Sequence, residues 1–86
     1  MRKPKKHNLK IYDDYAFAKF SGLKPFEIRD ISDRDFRVGD TVVYTVIDRS
    51  GHKINHPLSK LVFEITFICN FMQRHNYVVF ADRILE

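Results

Sequence analysis

One cysteine, Cys69, in 86 residues excludes an intramolecular disulfide and a cysteine-based zinc knuckle. A small chain without such staples and with a free thiol fits a reducing compartment, so a cytoplasmic location is expected. Glycine and proline number only three each, and 44% of residues are hydrophobic and 14% aromatic, which excludes a low-complexity or disordered chain. Long apolar runs are missing too. The longest, Leu61 to Cys69, contains Glu64 and Thr66 and falls far short of the roughly 20 residues that span a bilayer. His7, Asn8 and Lys10 break the basic start at once, so neither a signal-peptide core nor a membrane partner is expected.

Acid is the other local absence. The first ten residues contain none, whereas Arg2, Lys3, Lys5, Lys6 and Lys10 place five cations there. From residue 11 onward ten basic residues face eleven acidic ones, so the whole excess behind the net charge of +4 belongs to the N-terminal arm. Pro4 and the charge density predict a flexible basic tail over residues 1–6. Its cations Arg2, Lys3, Lys5 and Lys6 suit a polyanion backbone held with strong salt dependence, or equally serve solubility. Residues 7–86 are enough for one domain with one core.

Within that domain, alternation at Leu9 and Ile11 predicts a strand over His7 to Tyr12. Asp13 and Asp14 then open a short helix carrying Tyr15, Ala16, Phe17, Ala18 and Phe20, which Ser21-Gly22 stops. At two to three turns it needs docking, and its aromatic face is expected to supply it. From Lys24 to Asp30 the alternation predicts a strand with Phe26 and Ile28 in the core and Glu27 and Arg29 on the opposite face. Val38-Gly39-Asp40 turns into a β-branched run over Thr41–Asp48, and Arg49-Ser50-Gly51-His52 is a hairpin signal. Leu61, Phe63, Ile65, Phe67 and Cys69 predict one buried face of a long strand, and Asn76 to Ala81 forms the last. The fold class is thus α+β, mainly β: about five strands and one short helix near the N-terminus, curled into a partly closed barrel.

The chemistry concentrates in Ser21-Gly22-Leu23-Lys24-Pro25-Phe26-Glu27-Ile28-Arg29-Asp30. Glu27 and Arg29 share a strand face, and Lys24 stands at its mouth. Two cations and a carboxylate on one patch can grip a phosphate or base and accept a hydrogen bond from an amino or hydroxyl group. The same pattern also describes an ordinary wet strand face with a Glu–Arg pair of little consequence.

His7-x-Leu9-Lys10-Ile11, Ser21-Gly22-x-Lys24-x-Phe26-Glu27-Ile28-Arg29 and Asp33-Arg34-Asp35-Phe36-x-Val38-Gly39-Asp40 together resemble a small bacterial and phage branch of the ASCH families, within the PUA-like superfamily of pseudo-barrels. The resemblance runs in register from residue 7 to about 48, and Tyr77-Val78-Val79 resembles the closing strand. It implies a barrel with a helix beside a cleft, and binding of RNA or a modified nucleoside. Lys24, Glu27 and Arg29 match the family's cleft residues; His7 and Lys10 match its first strand beside that cleft. Some ASCH relatives are amidohydrolases that deacylate N4-acetylcytidine with a cleft lysine, a threonine two residues before the motif arginine, and a distal glutamate. Here Lys24 is present, Glu27 takes the threonine's place, and only Asp82 and Glu86 follow Glu64 as acids. A Lys24–Glu27 pair could do general acid–base work if burial drew both pKa values toward neutrality.

Other motifs point to structure. Asp33 and Asp35 lack the spacing of a calcium loop and are expected to cap a turn and pair with Arg34 or Arg37, with Phe36 plugging the barrel end. His52, His56 and His75 read as loop residues, and Cys69 as a buried thiol. Tyr12 and Tyr15, beside the helix start, offer base-stacking surfaces. The leading expectation is non-catalytic binding of RNA or a nucleotide-like ligand through Lys24, Glu27, Arg29, His7, Lys10 and Tyr12, with neither metal nor cofactor. Nucleoside amidohydrolysis and a protein-interaction or phage accessory module are the alternatives.

Overall fold

The computed structural model describes residues 3–32 and 34–85. Arg2 of the expected tail and Asp33 of the acidic turn therefore lie outside the described residues. Strand β1 (Lys6–Tyr12) leads directly into helix α1 (Asp13–Phe20), followed by β2 (Phe26–Asp30), β3 (Thr41–Ile47), a 3-10 turn (Pro57–Lys60), β4 (Val62–Cys69) and β5 (Tyr77–Leu85). The strands form one mainly antiparallel sheet in the order β1-β3-β4-β5-β2, with β1 parallel to β3, curled into a half barrel. The mainly-β fold of five strands and one short helix matches the sequence pattern. No helix among the described residues is long and apolar enough to cross a membrane.

The inside of the curl is the core. Leu9 and Ile11 of β1, Val42, Tyr44 and Val46 of β3, Phe63 and Ile65 of β4, and Val78 and Phe80 of β5 all face it, with Ala16 and Leu58 packed in from the two helical turns. Phe36 fills one end, its ring 4.7 Å from His7 and 5.0 Å from Phe80, as the plug expected of it. His56 Nδ1 accepts the Leu58 N–H and so caps the 3-10 turn. The Arg49–His52 segment does make a tight turn, but it joins only a single bridge, Ile47 to Lys53, before the chain leaves the sheet.

Three faces differ from their sequence pattern. Helix α1 docks through Ala16 and Lys19, while Tyr15, Phe17 and Phe20 are exposed. The aromatic docking face is therefore not used; an ammonium held by two buried carboxylates takes its place. Strand β2 is turned over: Glu27 is buried and Phe26 and Ile28 are exposed. Alternation defines two faces but does not say which one is inside. The register decides, since Glu27 lies opposite the buried Phe80, whereas Phe26 and Ile28 lie opposite Ala81 and Val79. In β4 an irregularity between Ile65 and Phe67 shifts the register, so Phe67 turns outward and Ile68 packs inward. An extra residue in one strand reverses the sides beyond it. Cys69 is consequently half-buried, its Sγ accepting the Phe71 N–H at 3.3 Å.

Two residues of the expected 1–6 tail are held by the sheet. Lys6 opens β1, and Lys5 is tied in on both sides, its N–H to Asp40 Oδ1 and its carbonyl to the Thr41 N–H. At the other end of α1, the Leu23 N–H reaches Ala18 O and the Gly22 N–H reaches Lys19 O. Gly22 sits at φ 80° in this paired C-terminal closure, a conformation that glycine adopts without strain. The closure aims the chain so that Lys24 enters beside β2.

Candidate functional site

The two edge strands, β1 and β2, do not pair. Arginines bridge them instead: Arg29 Nη1 donates to Lys10 O at 2.9 Å, and Arg34 Nη1 to Asn8 O at 3.3 Å. An unpaired strand edge exposes backbone acceptors, and charged side chains are a common way of covering one. The half barrel thus has an open seam, and the candidate site lies on it.

A cavity of about 380 Å³ opens at the α1 end of the seam, lined by Lys10, Ile11, Tyr12, Tyr15, Lys24, Phe26, Glu27, Ile28 and Arg29. Lys24, Glu27, Arg29, Lys10 and Tyr12, all expected at a site, therefore share one concave surface. Glu27 is its buried anchor. Its Oε2 accepts from Lys24 Nζ at 3.0 Å and faces Lys19 Nζ at 3.2 Å, while its Oε1 accepts from Arg29 Nη2 at 3.0 Å. The Glu27 side chain is 3% exposed, against 21% for Lys24 and 23% for Arg29, so the carboxylate lies within and the cation heads reach the cleft. Lys24 Nζ also donates to Phe26 O and lies 5.7 Å from the Tyr15 ring centre and 5.4 Å from that of Phe26. The Arg49 guanidinium stacks on Tyr12 at 4.1 Å and pairs with Asp14 at 2.7 Å, and this hydrogen bond lowers the pKa of the exposed Asp14.

Beneath the cleft runs a buried charge network that sequence reasoning missed. Lys19 Nζ lies 2.7 Å from Asp82 Oδ1, and the Tyr44 hydroxyl donates to Asp82 Oδ2. The ammonium also sits 5.2 Å from the Tyr44 ring centre and 5.1 Å from that of Phe63, where the negative ring faces add attraction. Three cations, Lys19, Lys24 and Arg29, thus surround two acids, Glu27 and Asp82. Burial alone pushes the Glu27 pKa up, but Lys19, Lys24 and Arg29 together outweigh it and hold the carboxyl below its ordinary range. Burial, then the charges of Glu27 and Asp82, drive the Tyr44 hydroxyl well above its ordinary value, so it remains a proton donor. Glu27 is therefore not drawn toward neutrality, contrary to what a general acid–base pair needs. With three of its roughly four lone-pair positions taken by cations, it serves the cleft chiefly by fixing Lys24 and Arg29.

Signals for the missed residues were present. Asp82 continues the inward alternation of Val78 and Phe80, but the predicted strand ended at Ala81. Tyr44 alternates with Val42 and Val46, and Lys19 follows Ala16 by three on one helix face.

His7, expected beside the cleft, is not there. It points into the opposite end of the curl, where its Nε2 donates to Asp40 Oδ2 at 2.8 Å beneath the Phe36 ring. The period of two sends His7, Leu9 and Ile11 inward and Lys10 and Tyr12 outward, so one strand cannot deliver both His7 and Lys10 to the seam. Asp40 also accepts the Lys5 and Arg37 N–H groups at 3.0 Å each. Asp35 pairs with Arg37 at 3.0 Å, as expected of the turn. Among the described residues, no three His, Cys, Asp or Glu side chains are grouped to hold a metal ion.

A curled five-stranded sheet with an unzipped seam and a cation-rimmed, tyrosine-lined cleft on it defines a class of small mainly-β domain. Within that class the chain belongs to the family described as Domain of unknown function (DUF3850), whose model matches residues 6–81. No curated protein matches the chain.

Proposed function

We propose that this domain binds RNA or a nucleotide-like ligand in the seam cleft without catalysis, and that its likeness to the ASCH branch of PUA-like pseudo-barrels reflects kinship. The observation that carries the reading is the convergence of Lys24 and Arg29 with Tyr12 and Tyr15 around one cavity of about 380 Å³. Cations beside aromatic faces suit a ligand that couples a phosphate to a flat ring. Lys24 and Arg29 contact phosphate or base oxygens, Lys10 adds charge at the rim, and the tyrosines stack. Glu27 holds the two cations in place, and Lys3, Lys5 and Lys6 add unspecific backbone attraction. Binding is favoured over deacylation because three cations hold the Glu27 carboxyl below its ordinary range and take three of its roughly four lone-pair positions.

The test is anisotropy titration of labelled single-stranded RNAs across a salt series, comparing the wild type with the Lys24→Ala/Arg29→Ala variant. Two lost charge-assisted hydrogen bonds, at about 1.5–3 kcal/mol each, predict a loss of roughly a hundredfold or more in affinity. The slope of log affinity against log salt should fall by about 1.4, at about 0.7 per phosphate contact. Unchanged affinity in a folded double variant would rule the cleft out.

A further inference from the structure

A second cavity, of about 320 Å³, adjoins the first along the same seam, and the two share Lys10 and Arg29. The Arg29 to Lys10 carbonyl bridge stands between them, so together they form one groove with two chambers. The chambers differ in character. The first holds the rings of Tyr12, Tyr15 and Phe26; the second holds Arg34 together with Lys10, Arg29 and the ring of Phe36, against Asp30, the single acid among its described lining residues, which is engaged with Ser32.

The groove has a repeat as well. Lys6, Asn8, Lys10 and Tyr12 occupy the outward positions of β1 and are exposed, which puts a row of polar and aromatic side chains along the seam about 6.7 Å apart. Arg34 and Arg29 dock on the carbonyls of Asn8 and Lys10, two residues apart on that row, so their heads repeat at the same interval. That interval is of the same order as the distance between successive phosphates in a nucleic acid strand. Each guanidinium has five N–H donors, and the Asn8 carbonyl takes only one from Arg34.

Building on the nucleotide-binding reading, we propose that the seam takes a single-stranded oligonucleotide of at least two nucleotides rather than a free mononucleotide. One base stacks in the tyrosine chamber, Arg29 takes the adjoining phosphate, and Arg34 with Lys10 takes the next. The strand then runs along β1 toward Lys6. Arg34 reads length, since it lines only the second chamber.

Anisotropy competition with uridine monophosphate, a 5′-phosphorylated uridine dinucleotide carrying two phosphates, and a uridine tetranucleotide tests this on the wild type and Arg34→Ala. The Arg34 side chain meets β1 only at one exposed carbonyl, so the variant should keep its fold, which circular dichroism checks. The proposal expects the tetranucleotide to bind at least about tenfold tighter than the monophosphate. It also expects Arg34→Ala to remove most of that gain while leaving monophosphate affinity unchanged. Equal affinity at all three lengths, or a length gain that survives Arg34→Ala, overturns the two-chamber assignment and leaves single-nucleotide binding standing. A tetra-glutamate peptide binding as tightly as the tetranucleotide overturns it too, by making the seam a general polyanion site. Failure of every uridine ligand to bind overturns this proposal and the nucleotide reading together.

Discussion

Two buried carboxylates anchor the polar clusters of this molecule, and they are used in opposite ways. Asp40 closes in on itself: the Lys5 and Arg37 N–H groups and the His7 ring satisfy it from within, and Phe36 covers the imidazole. Glu27 is just as buried, yet two of its partners are long side chains whose charged heads stay at the wall of a cavity. Burying a charge demands compensation in both places. When backbone amides and a short ring supply it, the result is a joint that holds β1 to the turn before β3. When Lys24 and Arg29 supply it, the same requirement leaves donors facing solvent, and the joint becomes a surface that can recognise an anion.

The contrast breaks most severely at Glu27. Glu27→Gln removes the negative charge that three cations share, and leaving Lys19 buried with Asp82 as its one ionic partner among the described residues should cost about 3–5 kcal/mol in urea unfolding at neutral pH. Asp40→Asn is milder, because an amide oxygen at the Oδ2 position still accepts from the His7 ring and the Arg37 N–H. A loss of about 1–3 kcal/mol is expected, with RNA affinity unchanged. A fall in affinity for Asp40→Asn would show that the two clusters are not independent.

Acid has a smaller effect on the Glu27 cluster. The Glu27 pKa is lowered by folding, so its ionisation contributes stability above the unfolded glutamate range near about 4.3. That contribution is lost as pH falls from there through the lower native value. The gap between wild type and Glu27→Gln should therefore narrow on acidification by at most about 1.4 kcal/mol per pH unit. A gap that stays constant from neutral pH to pH 3 would mean that the carboxylate charge is not what the three cations need.

Much of this arrangement was legible in the sequence. The five strands, the helix after Asp13, the Gly22 stop and the Phe36 plug follow from periodicity and turn chemistry, and those are local. Lys24, Glu27 and Arg29 were recognisable as a cluster because they lie close in the chain. What escaped was set by long-range register. Whether Glu27 or Phe26 faces inward depends on Phe80 across the sheet, and Phe67 depends on a bulge that shifts β4 against β5. Lys19 reads as a surface lysine until Asp82, 63 residues away, is placed above it. His7 was misassigned for a related reason: nearness to Lys10 in sequence is the opposite of nearness on a strand when the separation is odd.

The central claim is that the seam, and not the Asp40 joint or the outer face of β4 and β5, is the recognition surface. Mapping amide chemical shifts by NMR during titration with a uridine tetranucleotide tests it most directly. Saturable shifts are expected at Lys10, Tyr12, Tyr15, Lys24, Phe26 and Arg29, with Arg34 following, while Val42, Phe67 and Ile84 stay still. Shifts centred on Phe67 and Ile84, or none at the seam at saturating ligand, would contradict it.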